Sequence, residues 1–382
     1  MLNSIINMIK KISWTNLSFL SFIHVTAIVG SIWTIQNNGL HPSTFILLIS
    51  FLIMTGFGIT VGYHRLFSHK SFETNNVIKS LLLLFGGACF EGSAREWCCA
   101  HRKHHGRVDQ EGDPYNAKKG FFYSHIGWIV LKADQSDERH IQDMLKDPIV
   151  LFQDRHYVKL AVLIGFILPM ALAALWGDIW GGLFIAGALR IVINYHFTWF
   201  INSYCHHFGK QPYSNKNSSR DSWFIALFTY GEGYHNFHHN FQRDFRNGIR
   251  FYQFDPSKWL IKFLAQIGLA SNLYQTDPER ILKAKLNMDE KRLKQKSQVT
   301  SYFKPEWHQY VLNMRAKIET QHHKLMQLKL EYLQIKKQKN KELQANLTEL
   351  KLKIRLVKHD LNHSLNHWKL LINGQLNQLI QF

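Results

Sequence analysis

The chain has 382 residues, 46% hydrophobic and 14% aromatic, yet its formal net charge is +19. Apolar runs fill the first 200 residues and lysine crowds the last 100, so the anionic partners that such a charge favours read as lipid headgroups or a phosphate-bearing cofactor, with no nucleic acid. The four cysteines, Cys89, Cys98, Cys99 and Cys205, form no CxxC pair and read as reduced, cytosol-side residues.

Two apolar runs come first, near residues 17–35 and 44–62. Each is long enough to cross a bilayer, which takes about 20 residues. The short connection between them lacks Lys and Arg, whereas Lys10 and Lys11 precede the first and Arg65, Lys70, Arg95, Arg102 and Lys103 follow the second. By the positive-inside rule both termini and the long middle segment are cytosolic. His64 and His69 follow the second run with HxxxxH spacing. Those two positions do not share a face of an α-helix, so the spacing suits a place where the span ends and the chain turns. Residues 77–90 are apolar but too short to span, and read as a buried or interfacial helix.

The segment His101-Arg102-Lys103-His104-His105 comes next, followed by Asp109, Glu111 and Asp113. Two further spans lie near residues 158–176 and 181–200. Arg190 falls inside the last of these. A charge there costs roughly 2.5 kcal/mol or more, so it is expected to face the bundle interior and find a partner. Residues 223–230 form another short apolar stretch, ahead of Glu232 and of His235-Asn236-Phe237-His238-His239.

Two stretches more than 130 residues apart therefore share HxxHH. On a helix, offsets of three and four bring the rings into one narrow stripe, within reach of one metal or a metal pair. A zinc site needs three or four ligands, so eight clustered imidazoles imply two metals. Imidazole suits Fe, Cu, Zn and Ni alike, and ligand type does not choose among them. A ligating imidazole usually donates its other N–H to a carboxylate or carbonyl, which makes Asp109, Asp113, Glu232 and Asn236 candidates to hold the rings.

The stretches GITVGYHRLFSHKSF, EWCCAHRKHHGRVDQEGDPYNAKKGFFYSHIGW, TWFINSYCHHFGKQPY and GEGYHNFHHNF resemble the membrane fatty acid desaturases, specifically the Δ9 acyl-CoA (stearoyl-CoA) type, across roughly residues 17–282. The resemblance implies an all-α fold: a four-transmembrane-helix bundle with a helical cytosolic cap carrying the histidine-rich di-metal site. It adds a ninth ligand, His206, and Asn202 reaching a metal through water; His207 falls outside the pattern. It also implies an acyl tunnel that bends at the metals, with Trp97, Thr198 and Trp199 at the bend and Gly56 and Leu52 at its floor. The implied reaction takes a saturated acyl chain, O2 and two electrons to a cis-alkene, expected at Δ9, and two waters, at two Fe ions. The chain shows no cytochrome b5 motif, no GxGxxG and no CxxC iron site, so an external electron donor, a separate electron-transfer protein, is expected. The animal acyl-CoA enzymes carry Arg-Asp where Cys99 and Ala100 stand here; the substrate is thus expected to be acyl-CoA or another activated acyl group, phospholipid or carrier protein included. The expected location is a bacterial inner membrane or the endoplasmic reticulum. A membrane di-iron lipid or alkane hydroxylase is the alternative enzyme, and a membrane scaffold with a vestigial metal site the alternative non-enzyme.

Past residue 282 the resemblance stops, and residues 283–382 read as a basic amphipathic helical extension. From Leu343, apolar residues recur at Leu347, Leu350, Ile354, Val357, Leu361, Leu365, Trp368, Ile372, Leu376 and Leu379, in steps of three and four. A similar run goes from Leu325 through Leu328 and Tyr332 to Ile335, and the stripe breaks at Lys339. This is the signature of long amphipathic helices. Three uses fit: a coil that makes a homo-oligomer, a helical hairpin on the cap, or a helix on an anionic membrane.

Overall fold

The computed structural model describes residues 11–131, 138–299, 305–337 and 344–373; Lys10, Lys339, Leu343, Leu376 and Leu379 lie outside them. The described residues are overwhelmingly helical and fall into two compact units. The first holds Met1–Gln211 and Asn215–Gln275, the second Pro212–Ser214 and Thr276–Phe382.

Four helices of the first unit are long and apolar enough to cross a membrane: α1 (Trp14–Asn38), α2 (Pro42–Ser68), α6 (Tyr157–Ala174) and α7 (Ile179–His207). Between α2 and α6 lie α3 (Asn76–Gly87), α4 (Ala94–Arg107) and α5 (Pro148–Arg155); after α7 come α8 (Trp223–Phe228), α9 (His235–Asn240) and α10 (Pro256–Gln266). The second span is longer than hydropathy suggests, because it continues past residue 62 through His64 to Ser68. On α1 the inward residues are Leu20, Ile23, Ala27, Gly30, Ser31 and Thr34, at helical spacing and mostly small. Phe22, Val25, Ile28, Val29 and Ile32 point outward and are exposed. Contiguous outward apolar surface of this kind suits lipid and not water. The chain is an integral membrane protein.

α7 is the hub against which α1, α2 and α6 pack. Arg190, fully buried in α7, donates to the carbonyls of Ala88 (2.7 Å), Gly165 (3.0 Å) and Ala186 (3.3 Å). Its expected partner is thus a set of backbone dipoles. Gly165 and Ala186 lie in π-helical segments, Leu163–Ile167 and Gly182–Leu189. Away from the histidines, the two helical hairpins are tied by Asp178, which accepts from Thr44 Oγ1 at 2.5 Å while Thr44 accepts from Trp176 Nε1 at 2.9 Å.

The last eleven residues of α2, Gly58–Ser68, are π-helical and entirely buried. A Cβ on Gly58 would fall 2.2 Å from the backbone nitrogen of Gly86, so α2 and α3 approach backbone to backbone there. α4 starts with a capping box between Ser93 and Glu96 and carries the first HxxHH. Two-residue strands, β1 (Glu73–Thr74) and β2 (Ala270–Ser271), pair antiparallel and join the start of the cap to its end.

Among the described residues the second unit has three helices: α11 (Pro278–Val299), α12 (Pro305–Lys337) and α13 (Gln344–Asn373). Their apolar stripes meet one another: Leu286 and Leu293 of α11, Val311, Ile318 and Leu325 of α12, and Leu361, Trp368 and Leu371 of α13 share one core. Trp368 Nε1 donates to Asp289 at 3.2 Å inside it. The stripe read from sequence is therefore used within the chain, by a hairpin of α12 and α13 joined by α11, whose apolar positions the spacing argument had not identified.

Candidate metal centre

Nine imidazoles converge in two groups. His64, His69, His101, His105 and His238 form one, and His104, His206, His235 and His239 the other; within each, one nitrogen of every ring lies within 4.8 Å of the others. All nine are the histidines that the motifs and the resemblance single out. His207 belongs to neither group and bonds the Ser203 carbonyl.

Each HxxHH segment is divided between the groups. On α4, His101 and His105 are four apart and serve the first group, while His104 serves the second. On α9 the pattern is reversed: His235 and His239 serve the second, and His238 the first. Residues four apart share a helix face and adjacent residues do not, so facing helices can each give two rings to one group and one to the other. His105 and His239 stack across the boundary with centroids 4.3 Å apart. His64 and His69 are brought together by the π-helix. Its i→i+5 bonding closes from His69 N to His64 O at 3.1 Å, and the two rings stand 4.8 Å apart.

Partners at the outer nitrogen indicate the tautomer of three rings. His104 Nδ1 lies 2.8 Å from Asp113, and His64 Nδ1 2.9 Å from Glu232. Ser218 donates its hydroxyl to Asp109 at 2.7 Å, so His206 Nδ1 must donate to Ser218 Oγ, 2.7 Å away. A proton held on Nδ1 leaves Nε2 with a bare lone pair. Yet Nε2 atoms face Nε2 atoms: His64–His238 at 3.0 Å, His238–His105 at 3.0 Å, His235–His206 at 3.1 Å and His239–His235 at 3.0 Å. His238 and His235 each face two other rings in this way, more than one Nε2–H can serve, whereas a cation between the nitrogens takes up all the lone pairs. Nitrogens about 2.1 Å from one ion and at right angles would be about 3.0 Å apart. The donor set therefore fits two metal ions.

Burial, reinforced by neighbouring imidazoles, holds His69, His101, His105, His235, His238 and His239 well below the usual histidine range. These rings are neutral at neutral pH, the form that binds metal. Burial alone would raise Glu232, but Arg65 and His64 beside it bring it below the usual carboxylate range. Arg65 donates to Glu232 at 2.8 Å and sits 3.0 Å from Asp255.

Of the four residues expected to hold the rings, Asp113 and Glu232 contact imidazoles directly and Asp109 acts through Ser218. Asn236 bonds Asp221 through its backbone N–H and the Ser219 carbonyl through its side chain, which pins the start of α9. Glu111 is exposed. Ser218 and Tyr115, whose hydroxyl lies 3.2 Å from His101 Nδ1, were not identified from sequence. Tyr115 stands two residues after Asp113, a proximity that could have signalled it; Ser218 sits in a polar loop with no such signal.

A cavity of about 710 Å³ reaches the centre, with His64, His101 and His235 in its wall. Its lining includes the exposed residues Asn16, Glu96 and Glu138 as well as the buried Gly56 and Asn194 and the half-buried Tyr230. Trp97, Thr198, Trp199 and Asn202 line it. Trp97 stacks on His101 with centroids 4.8 Å apart. Leu52 contributes its carbonyl, as acceptor for Tyr230 Oη, and its side chain is not among the lining. Glu91, which no motif pointed to, also lines the cavity. It accepts from Thr198 Oγ1 at 2.8 Å and Trp97 Nε1 at 3.1 Å, and burial pushes it up to about 7 against those two bonds.

Residues 42–268 match the family model described as fatty acid desaturase. The chain is 38% identical over 298 residues to a probable acyl-CoA desaturase of Schizosaccharomyces pombe, covering 75% of this chain and 62% of that one. It is 38% identical over 260 residues to acyl-CoA desaturase 1 of Saccharomyces cerevisiae, covering 67% of this chain and 51% of that one. It is 32% identical over 272 residues to the sn-1 stearoyl-lipid 9-desaturase of Anabaena variabilis, covering 71% of this chain and 97% of that one. The aligned part thus spans between half and two thirds of the two fungal relatives. With the model match running over most of the spans, the cap and every histidine of both groups, the chain belongs to the fatty acid desaturase family.

Proposed function

We propose that this protein is an O2-dependent acyl desaturase that places a cis double bond, at Δ9, in a saturated acyl chain, using two irons. The observation that carries this reading is the convergence of nine imidazoles in two groups, three of them, His64, His101 and His235, in the wall of one cavity. The first group would hold one iron through five rings, and the second the other through four rings, with Asn202 through water. An iron pair supplies the dioxygen-dependent removal of hydrogen that acid–base side chains cannot provide.

The chain's own residues position the substrate. Trp97, Thr198 and Trp199 form the wall beside the histidines, and Glu91 locks the first two to each other. A methylene pair held against this wall faces the centre, and a bent wall admits only the cis product. Balanced, one CH2–CH2 unit, O2, two electrons and two protons give one CH=CH unit and two waters. A separate electron-transfer protein supplies the electrons. The names of the fungal relatives favour acyl-CoA as donor. The Lys and Arg bias puts the cap and both termini in the cytosol.

The test is expression in a host that lacks its own desaturase, with lipid profiling and iron analysis of the purified protein. A cis-alkene with about two irons per chain is expected. An alcohol in its place would identify a hydroxylase and overturn the reading.

A further inference from the structure

Five residues ahead of His235 the backbone adopts a strained conformation. Tyr230 has φ +55°, in the left-handed region that bulky side chains rarely enter. Such strain persists only where surrounding contacts over-determine it, and those contacts point to its use. Here there are three. The ring lies against α2 so closely that a Cβ on Gly56 would fall 2.3 Å from two of its carbons. Its hydroxyl donates to the Leu52 carbonyl at 2.9 Å. Phe57 packs on it with centroids 5.6 Å apart.

The same ring lines the cavity beside Gly56 and Asn194, both buried. Asn194 is itself held there, Nδ2 donating to Thr55 Oγ1 at 2.7 Å. Gly56 is therefore not an open space waiting to be filled. Its missing side chain is the seat of Tyr230, and bulk at position 56 would act by displacing that ring. Two residues on, Glu232 contacts His64. A short, strained stretch thus joins this part of the cavity wall to the carboxylate beside His64.

We propose that Tyr230 is the floor of the acyl cavity and sets the longest tail the protein accepts beyond the new double bond. This rests on the desaturase reading above.

The test uses Tyr230→Gly and Tyr230→Asn, both of which accept the left-handed backbone, with Tyr230→Phe to keep the ring. Each is expressed in a host lacking its own desaturase and fed a homologous series of saturated fatty acids. One methylene in an apolar pocket is worth roughly tenfold or more in discrimination. The ratio of long to short monoenes should therefore rise on the order of tenfold in the Gly and Asn variants. The double-bond position should stay unchanged, and the Phe variant should keep the wild-type profile. A merely structural tyrosine would lower thermal stability and leave the ratio alone. A wild-type profile in active Gly and Asn variants overturns the proposal, as does loss of all alkene in both while they remain folded and metal-bound. Absence of alkene from the wild type would instead sink the desaturase reading. In that case the floor is still measured without turnover, from thermal shifts of the purified protein with the same fatty acids. The stabilisation should extend to longer chains in the Gly variant, and an identical chain-length limit would overturn the proposal.

Discussion

Glu232→Gln removes one charge from the middle of a buried donor cluster. Arg65 at 2.8 Å and Asn247 Nδ2 at 2.6 Å donate to this carboxylate, and His64 Nδ1 lies 2.9 Å from it. A glutamine offers one acceptor oxygen and an NH2, and the NH2 must face at least one of those donors. Breaking a buried ion pair from one side costs about 3–5 kcal/mol. The lower end applies, because Asp255 stays 3.0 Å from Arg65 and keeps its charge compensated. The imidazole of His64 also loses the carboxylate that orients it, a change of the kind that lowers metal affinity by about 10–100-fold. Two measurements check this: thermal unfolding of the purified variant, and metal retained against a graded chelator series. The reasoning fails if Glu232→Gln holds metal through that series as the wild type does.

The two histidine groups should respond unequally to single deletions. His239→Ala leaves three rings of four and should bring the metal content toward about one per chain, whereas His105→Ala leaves four of five and should retain more metal; equal retention in the two would contradict the grouping. Both variants should lose turnover. Glu91, raised to about 7 by burial, favours its neutral form in the folded state. Its contribution to stability is fully present below the unfolded value near 4.5 and is lost as pH rises through about 7. Glu91→Gln should therefore flatten the fall in melting temperature between those limits, and an unchanged difference curve would show that the carboxyl is already ionised. Removing Thr276–Phe382 takes away all of the second unit except Pro212–Ser214 and should leave metal binding intact, since every histidine of both groups precedes it; loss of metal would make the extension part of the centre. A cut after Ser301 would instead strip Leu286 and Leu293 of core partners on α12 and α13 and should aggregate more.

Local periodicity and hydropathy were enough to read the four spans, the burial of Arg190, the two HxxHH segments and the amphipathic stripes of α12 and α13. These properties reside in the backbone repeat and in short-range composition, which act over a few residues and are visible in one segment at a time. Tertiary structure decided the rest. The division of each HxxHH between two groups needs α4 and α9 to face each other from 130 residues apart, and no spacing within either segment records that. The meeting of His64 with His69 needs a π-helix, which arises where α2 is wedged against α3 at Gly58 and Gly86. Glu91, Tyr115, Ser218 and Tyr230 acquire their places from contacts with Thr198, His101, His206 and Gly56, the first and last of these across more than 100 residues of chain. The cavity wall at Gly56 shows the difference most directly. Helical spacing put Leu52 and Gly56 on one face of α2, but only packing brought the ring of Tyr230 across that face, because the space a glycine leaves is taken by whichever side chain the fold delivers there.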